Sequence, residues 1–191
     1  MKKIILASSS PRRKALLKQI GLKFKTDARV QEEPDLAAEE PHRLSREISL
    51  KKAESVARDY PDTIIIAADT VGVIDGRIIG KPHSESEARA MLELLSGKAH
   101  IVITGFTVLD TFTGKSISRS VETTVFMKRL THSEIEAYVK TGEPLDKAGS
   151  YAIQGLGAVL VEKIEGDYFN VMGLPLSALA KTLKKFGVDV L

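Results

Sequence analysis

Neither cysteine nor tryptophan occurs in these 191 residues, and aromatic side chains make up only 5% of them. Without thiols there are no disulfides, no thiolate catalysis and no cysteine-held zinc or iron–sulfur cluster, which agrees with a reducing compartment. Few rings leave few platforms for stacking nucleic-acid bases. No apolar run is long enough to cross a bilayer. The opening Met-Lys-Lys-Ile-Ile-Leu-Ala is similar to the start of a signal peptide, but Pro11, Arg12 and Arg13 break it early. A cytoplasmic protein with no membrane partner is expected. A strong excess of one charge is also missing: 28 basic against 25 acidic residues leave a net charge of +3. So even a balance argues weakly for a polymer-binding surface, whereas a small polyanion needs only local positive charge. There is no Gly-x4-Gly-Lys-Ser/Thr loop. Gly155-Leu156-Gly157 precedes an expected strand instead of following one, the wrong order for a dinucleotide fingerprint. His42, His83, His100 and His132 show no ligand spacing.

What is present reads as globular: 43% hydrophobic and 28% charged residues. Strands are expected at 3–8 and 63–68, then a small hairpin over 71–79 turning at Asp75-Gly76. Long β-branched strands follow at 101–109 and 117–127, and another strand at 158–164. A helix starts at Ser10-Pro11 and stops at Gly21. Others are expected over 42–60, 84–95 (capping box Ser84/Glu87), from Thr131/Glu134 to near Gly142, and over 175–186. Residues 31–41 and 142–155 read as loops. The mixture predicts an α/β or α+β fold with some antiparallel pairs. With no linker in view, residues 1–191 form one unit, any division being two lobes of one compact chain.

Several positions break local rules. Arg12 and Arg13 sit in the first turn of a helix, where free N–H groups already carry positive partial charge; each guanidinium costs roughly 0.3–1 kcal/mol there if exposed. A bound phosphate reverses that sign, gathering the N–H groups, both arginines and the Ser8–Ser10 hydroxyls around one anion. The plainer alternative is a solvated helix start. Lys52 lies on an apolar stripe with Ile48 and Val56, either snorkelling to water or aimed into a cleft. Asp69, followed by Thr70, ends the run Ile64-Ile65-Ile66-Ala67-Ala68, the carboxyl end of a strand where open sheets put chemistry; it can equally begin a turn. Lys81 stands on a stiff Gly80-Lys81-Pro82 segment. Paired Glu32 and Glu33 are either a solvated face or, with Asp69, oxygen ligands for Mg²⁺ or Mn²⁺. These positions sum to a phosphate site carrying both signs of charge.

Ser8-Ser9-Ser10-Pro11-Arg12-Arg13 resembles the opening signature of the Maf family, the septum-formation-linked nucleoside triphosphate pyrophosphatases. Ala68-Asp69-Thr70, Gly80-Lys81-Pro82, Gly142-Glu143-Pro144, Asp146-Lys147-Ala148-Gly149 with Tyr151, Ile153-Gln154-Gly155, and Asn170-Val171 with Gly173-Leu174-Pro175 resemble its later signatures, in order along nearly the whole chain. The resemblance implies a mixed twisted sheet flanked by helices, two lobes around a cleft, as in the inosine triphosphatase-like superfamily. It implies hydrolysis of a nucleoside triphosphate to monophosphate and pyrophosphate with a divalent cation, Mg²⁺ or Mn²⁺, and often a homodimer. Arg12, Thr70 and Gln154 are similar to the selectivity set of the dTTP/UTP branch; a second branch prefers 7-methyl-GTP. Asp69 resembles the catalytic acid–base residue and, with Glu33 or Glu32, a metal ligand. Ser8, Arg12, Arg13, Lys52 and Lys81 are the expected phosphate clamps, with Asp146 and Lys147 further cleft candidates. Gln154 can both donate and accept toward the imide edge of uracil or thymine, or else cap its own loop. A nucleotide-sensing regulator of division is the alternative function, and no nucleic-acid partner is expected.

Overall fold

A computed structural model describes residues 2–29 and 40–191. The frame is a seven-stranded sheet, built from β1 (Lys3–Leu6), β2 (Lys25–Thr26), β3 (Thr63–Ile74), β4 (Arg77–Ile79), β5 (Ala99–Asp110), β6 (Ser116–Met127) and β7 (Val161–Glu165). Its order is β2-β1-β3-β5-β6-β7, with β4 pairing the far end of β3. β1 runs parallel to β2 and β3, and every other pair is antiparallel. Ile64, Ile65 and Ile66 are wholly buried because both faces of β3 are covered there. Ile64 and Ile66 join Ile4, Leu6, Phe106 and the carboxyl-terminal helix α6 (Leu176–Leu183), whereas Ile65 joins Ile5, Ala53 and Val56 on the opposite face.

The helices begin where side chains satisfy their free N–H groups. In α1 (Pro11–Gln19) the Ser10 hydroxyl accepts from Arg13 N, and Pro11 holds the first helical position. In α2 (Pro41–Ala57) the Glu40 carboxylate accepts from His42 N and Arg43 N. Small residues let α2 lie close on the sheet: Ser45, Ser49 and Ala53 face it, and Ser49 Oγ meets Thr107 Oγ1 at 2.7 Å. At the other end of the long strands, α3 (Glu85–Leu95) and α4 (His132–Val139) cover a separate core that includes Leu92, Val125, Met127, Tyr138 and Tyr151. A short α5 (Tyr168–Met172) is capped by Asp167, whose carboxylate accepts from Phe169 N and Asn170 N. No helix among the described residues is long and apolar enough to cross a membrane.

Some expectations need correction. β3 does not stop at Ala68: Asp69 pairs with Gly105 and Thr70 with Thr104, so the expected strand and hairpin are one long strand that turns back at Asp75-Gly76, both at positive φ. The expected strand at 158–164 starts late, because Gly155–Leu160 coils into a 3-10 turn packed on Tyr138 and Ala152. Of the Ser84/Glu87 box only half forms, since the Glu87 carboxylate takes His83 N–H. Helix α2 ends three residues before Tyr60. The loop at 142–155 contains two 3-10 turns, Glu143–Asp146 and Ala148–Ser150. β2 carries no sequence signal, and α5 none beyond its Asp167 cap. The expected loop at 31–41 falls largely outside the described residues.

Close approach of α2 to β5 depends on Gly105, where a Cβ would lie 2.2 Å from the Ser45 carbonyl carbon. The obstacle is helix backbone, which no rotamer change relieves. Gly105→Ala is expected to destabilise by about 1–3 kcal/mol or more, read as a lower urea midpoint at unchanged m value.

Candidate functional site

A cleft of about 460 Å³ opens where the end of β1, the start of α1, the middle of β3, the Gly80–Pro82 segment and the 146–154 segment converge. Strand alternation decides which way β3 contributes. Asp69 shares a face with Ile65 and Ala67 beneath α2, and Thr70 shares the opposite face with Ile64 and Ile66. Asp69 therefore meets Lys52 of α2, whose Nζ donates to Oδ1 at 2.5 Å. The two side chains are 19% and 27% exposed, so the pair is partly screened from water but still reachable. Burial pulls the Lys52 ammonium below its usual pKa; Asp69 opposes this, while Arg13 and Lys81 reinforce it.

Thr70 meets Arg13. Arg13 Nη2 donates to Thr70 Oγ1 at 3.0 Å, Nη1 to Ser8 Oγ at 3.3 Å and Nε to Gly173 O at 2.8 Å. Burial lowers the pKa of this guanidinium, Asp69 opposes the shift and Arg12 adds to it. The chain of hydroxyls continues inward: Thr70 Oγ1 lies 2.9 Å from Thr104 Oγ1, which donates to Asn170 O at 2.9 Å. Since Thr104 uses its proton on Asn170, the proton between the two threonines comes from Thr70. Arg13, expected as a phosphate clamp, thus directs three N–H groups at protein, and a guanidinium has five.

Every expected site residue among those described lines this cleft: Ser8, Arg12, Arg13, Lys52, Asp69, Thr70, Lys81, Asp146, Lys147 and Gln154. Asp146 and Lys147 form an ion pair with each other, and Lys147 Nζ also reaches Glu143 O at 3.3 Å. Gln154 is exposed and makes no side-chain cap bond to the 3-10 turn that follows it. Glu32 and Glu33 lie outside the described residues. Among the described residues no group of three or more His, Asp or Glu side chains could hold a metal ion.

Sequence reasoning missed the pair His100 and Tyr151. Both line the cleft and are almost fully buried, with His100 Nε2 2.8 Å from the Tyr151 hydroxyl and the rings edge-on at 5.4 Å. Burial drives His100 down to about 4 and raises the Tyr151 phenol. His100 Nδ1 has no partner among the described residues. The two residues are 51 positions apart, and no spacing rule joins them.

The fold and the cleft define an α/β protein with cations and one strand-borne carboxylate gathered round a single opening. The chain belongs to the Maf family: the family model described as Maf-like protein matches residues 3–186. A protein of Methanosarcina barkeri (strain Fusaro / DSM 804) named dTTP/UTP pyrophosphatase is 52% identical over 191 residues, covering 100% of this chain and 97% of the relative. One of the same name from Dictyoglomus thermophilum is 48% identical and covers 100% and 99%. Among solved structures, a HAM1 protein from Coxiella burnetii superposes with a TM-score of 0.58 over 97% of this chain and 100% of that one, at 16% identity. That likeness shows a shared fold, and the expected twisted mixed sheet flanked by helices is what the chain forms.

His100 makes stability depend on pH in a defined window. Its folded pKa of about 4 lies below the ordinary value of 6.5, so the unfolded chain binds the proton first. Stability should fall as pH drops from about 6.5 to about 4. Urea unfolding across that range should show a shallower decline in His100→Gln; parallel declines would mean that His100 does not titrate this way.

Proposed function

We propose that this protein hydrolyses dTTP and UTP to the nucleoside monophosphate and pyrophosphate, by attack of water on the α-phosphorus. The names of its relatives support the substrates. The observation that carries the chemistry is the Lys52–Asp69 pair, set in the same cleft as Arg12, Arg13 and Lys81. Asp69 is the proton acceptor for the attacking water. Arg12, Lys52 and Lys81, with Ser8 and the remaining Arg13 donors, neutralise the triphosphate and the departing pyrophosphate. Lys52 bonds the Asp69 carboxylate and lines the cleft with Arg12, Arg13 and Lys81, so it can orient the carboxylate and contact phosphate.

A metal fits this donor set without a protein cage, because Mg²⁺ is commonly held by one or two carboxylates plus substrate phosphates. Asp69 has Oδ2 open among the described residues, and Glu33 or Glu32 is the second candidate. Mg²⁺ or Mn²⁺, when bound, supplies charge neutralisation and a more acidic attacking water. Gln154 reads the imide edge of the pyrimidine. The Thr70 hydroxyl is engaged by Arg13 and Thr104, so its influence on selectivity runs through the placement of Arg13 and through its own methyl group. Asp146 and Lys147, already paired, form a neutral part of the rim. A single two-lobed domain spanning 1–191, a cytoplasmic location and a homodimer belong to the same proposal.

Incubation of dTTP or UTP with the protein and Mg²⁺ or Mn²⁺ should yield monophosphate and pyrophosphate. Diphosphate plus orthophosphate would overturn the reaction assigned. Asp69→Asn should lower turnover by on the order of 10²–10⁴-fold with its thermal midpoint preserved, and full turnover in that variant would remove Asp69 from the role.

A further inference from the structure

Gln154 makes no side-chain bond to the turn beside it, so its position is set by the backbone on either side. Each side is held by one of two side chains that are bonded to each other. Before Gln154, Ala152 N donates to the Tyr138 hydroxyl at 3.2 Å. After it, Leu156 N donates to Glu143 Oε2 at 3.2 Å and Gly157 N to Glu143 Oε1 at 2.9 Å. The Tyr138 hydroxyl donates to Glu143 Oε1 at 2.9 Å and closes the ring. Only Ile153, Gln154 and Gly155 lie between the pinned amides.

We propose that Glu143, joined to Tyr138, is a positioning residue for Gln154, clasping the segment that carries it so that its amide faces the base of a bound pyrimidine nucleotide. This rests on the reading of Gln154 under the proposed function. The glycines around the clasp fit it. At Gly155, with φ +67°, a Cβ would sit 2.7 Å from Glu143 Oε2. At Gly157 a Cβ would sit 2.4 Å from Ala152 O and 2.5 Å from the Tyr138 hydroxyl. A side chain at either place would push the clasp open. Chemistry favours an ionised carboxylate at its centre. Burial works against the charge, but the bonds from Gly157 N, Tyr138 and Leu156 N outweigh it and hold the Glu143 carboxyl below its usual range. Burial and Glu143 together push the Tyr138 phenol up, so it remains a donor at neutral pH.

Glu143→Gln keeps the size and replaces one accepting oxygen by an NH₂ group, which confronts a backbone N–H. UTP and CTP differ at the edge that Gln154 would read, so the ratio of their kcat/KM values reports its placement. A purely structural loss lowers both substrates alike and leaves that ratio unmoved. Glu143→Gln should cut the UTP/CTP preference roughly tenfold, with pyrophosphate still the product. Tyr138→Phe, a milder change, should move it the same way and serves if Glu143→Gln fails to fold. The double variant with Gln154→Ala should discriminate no worse than Gln154→Ala alone, since both act on one contact. If Gln154→Ala lowers the preference while Glu143→Gln and Tyr138→Phe leave it unchanged, the clasp is overturned and the base reading stands. If Gln154→Ala itself leaves it unchanged, base recognition lies elsewhere and both fall.

Discussion

A single guanidinium joins the parts from which the cleft is made. Arg13 reaches from the first turn of α1 to Ser8 at the end of β1, to Thr70 in the middle of β3 and to the carbonyl of Gly173. Through Thr70 it extends to Thr104 and Asn170, so four otherwise remote stretches of chain share one hydrogen-bonded line. Such a line is stiff because each partly buried member would be left unsatisfied if its neighbour moved, at about 1–3 kcal/mol for each group. A positive charge at a helix start, awkward in isolation, becomes a brace once these acceptors surround it.

The long antiparallel register does the rest. Asp69 and Thr70 are adjacent on β3 and point to opposite faces, one to Lys52 beneath α2 and the other to Arg13. A slip of one residue against β5 would exchange them and dissolve both contacts. Gly105 supports this by letting α2 come close enough for Lys52 to reach the strand. The loop that carries Gln154 follows a different rule: it borrows order from Glu143 and Tyr138 instead of from a ladder. Strand β3 and helices α1 and α2 hold Asp69, Arg13 and Lys52 while side-chain hydrogen bonds hold the loop, a division that suits the proposed fixing of phosphates and reading of bases.

Much of this was legible because it is local. Ser10-Pro11 announces α1, Thr131 and Glu134 announce α4 with a complete capping box, and Asp75-Gly76 announces the reversal of β3. The cleft residues were legible for a related reason: Arg12, Arg13, Lys52 and Asp69 each contradict their neighbourhood, and such conflicts gather at functional sites. The break expected after Ala68 failed because a lone aspartate in an apolar run looks like a strand end, whereas pairing with β5 carries the ladder through it. The pairing of His100 with Tyr151 left no trace in any window: Tyr151 stands in a family signature and His100 has no ligand spacing, and only packing brings the two together.

Sequence by itself determined the family signatures, the helix starts, the tight turns and the residue types available for phosphate and base, all of which act over a few positions. Tertiary structure alone decided that Lys52 is opposite Asp69, that Arg13 bonds inward, and that Glu143 closes on the amides of Leu156 and Gly157. The physical reason is range: backbone preferences and caps are set by adjacent atoms, whereas these bonds need helix, strand and loop to pack first, and no spacing along the chain encodes the distance between groups that packing brings together.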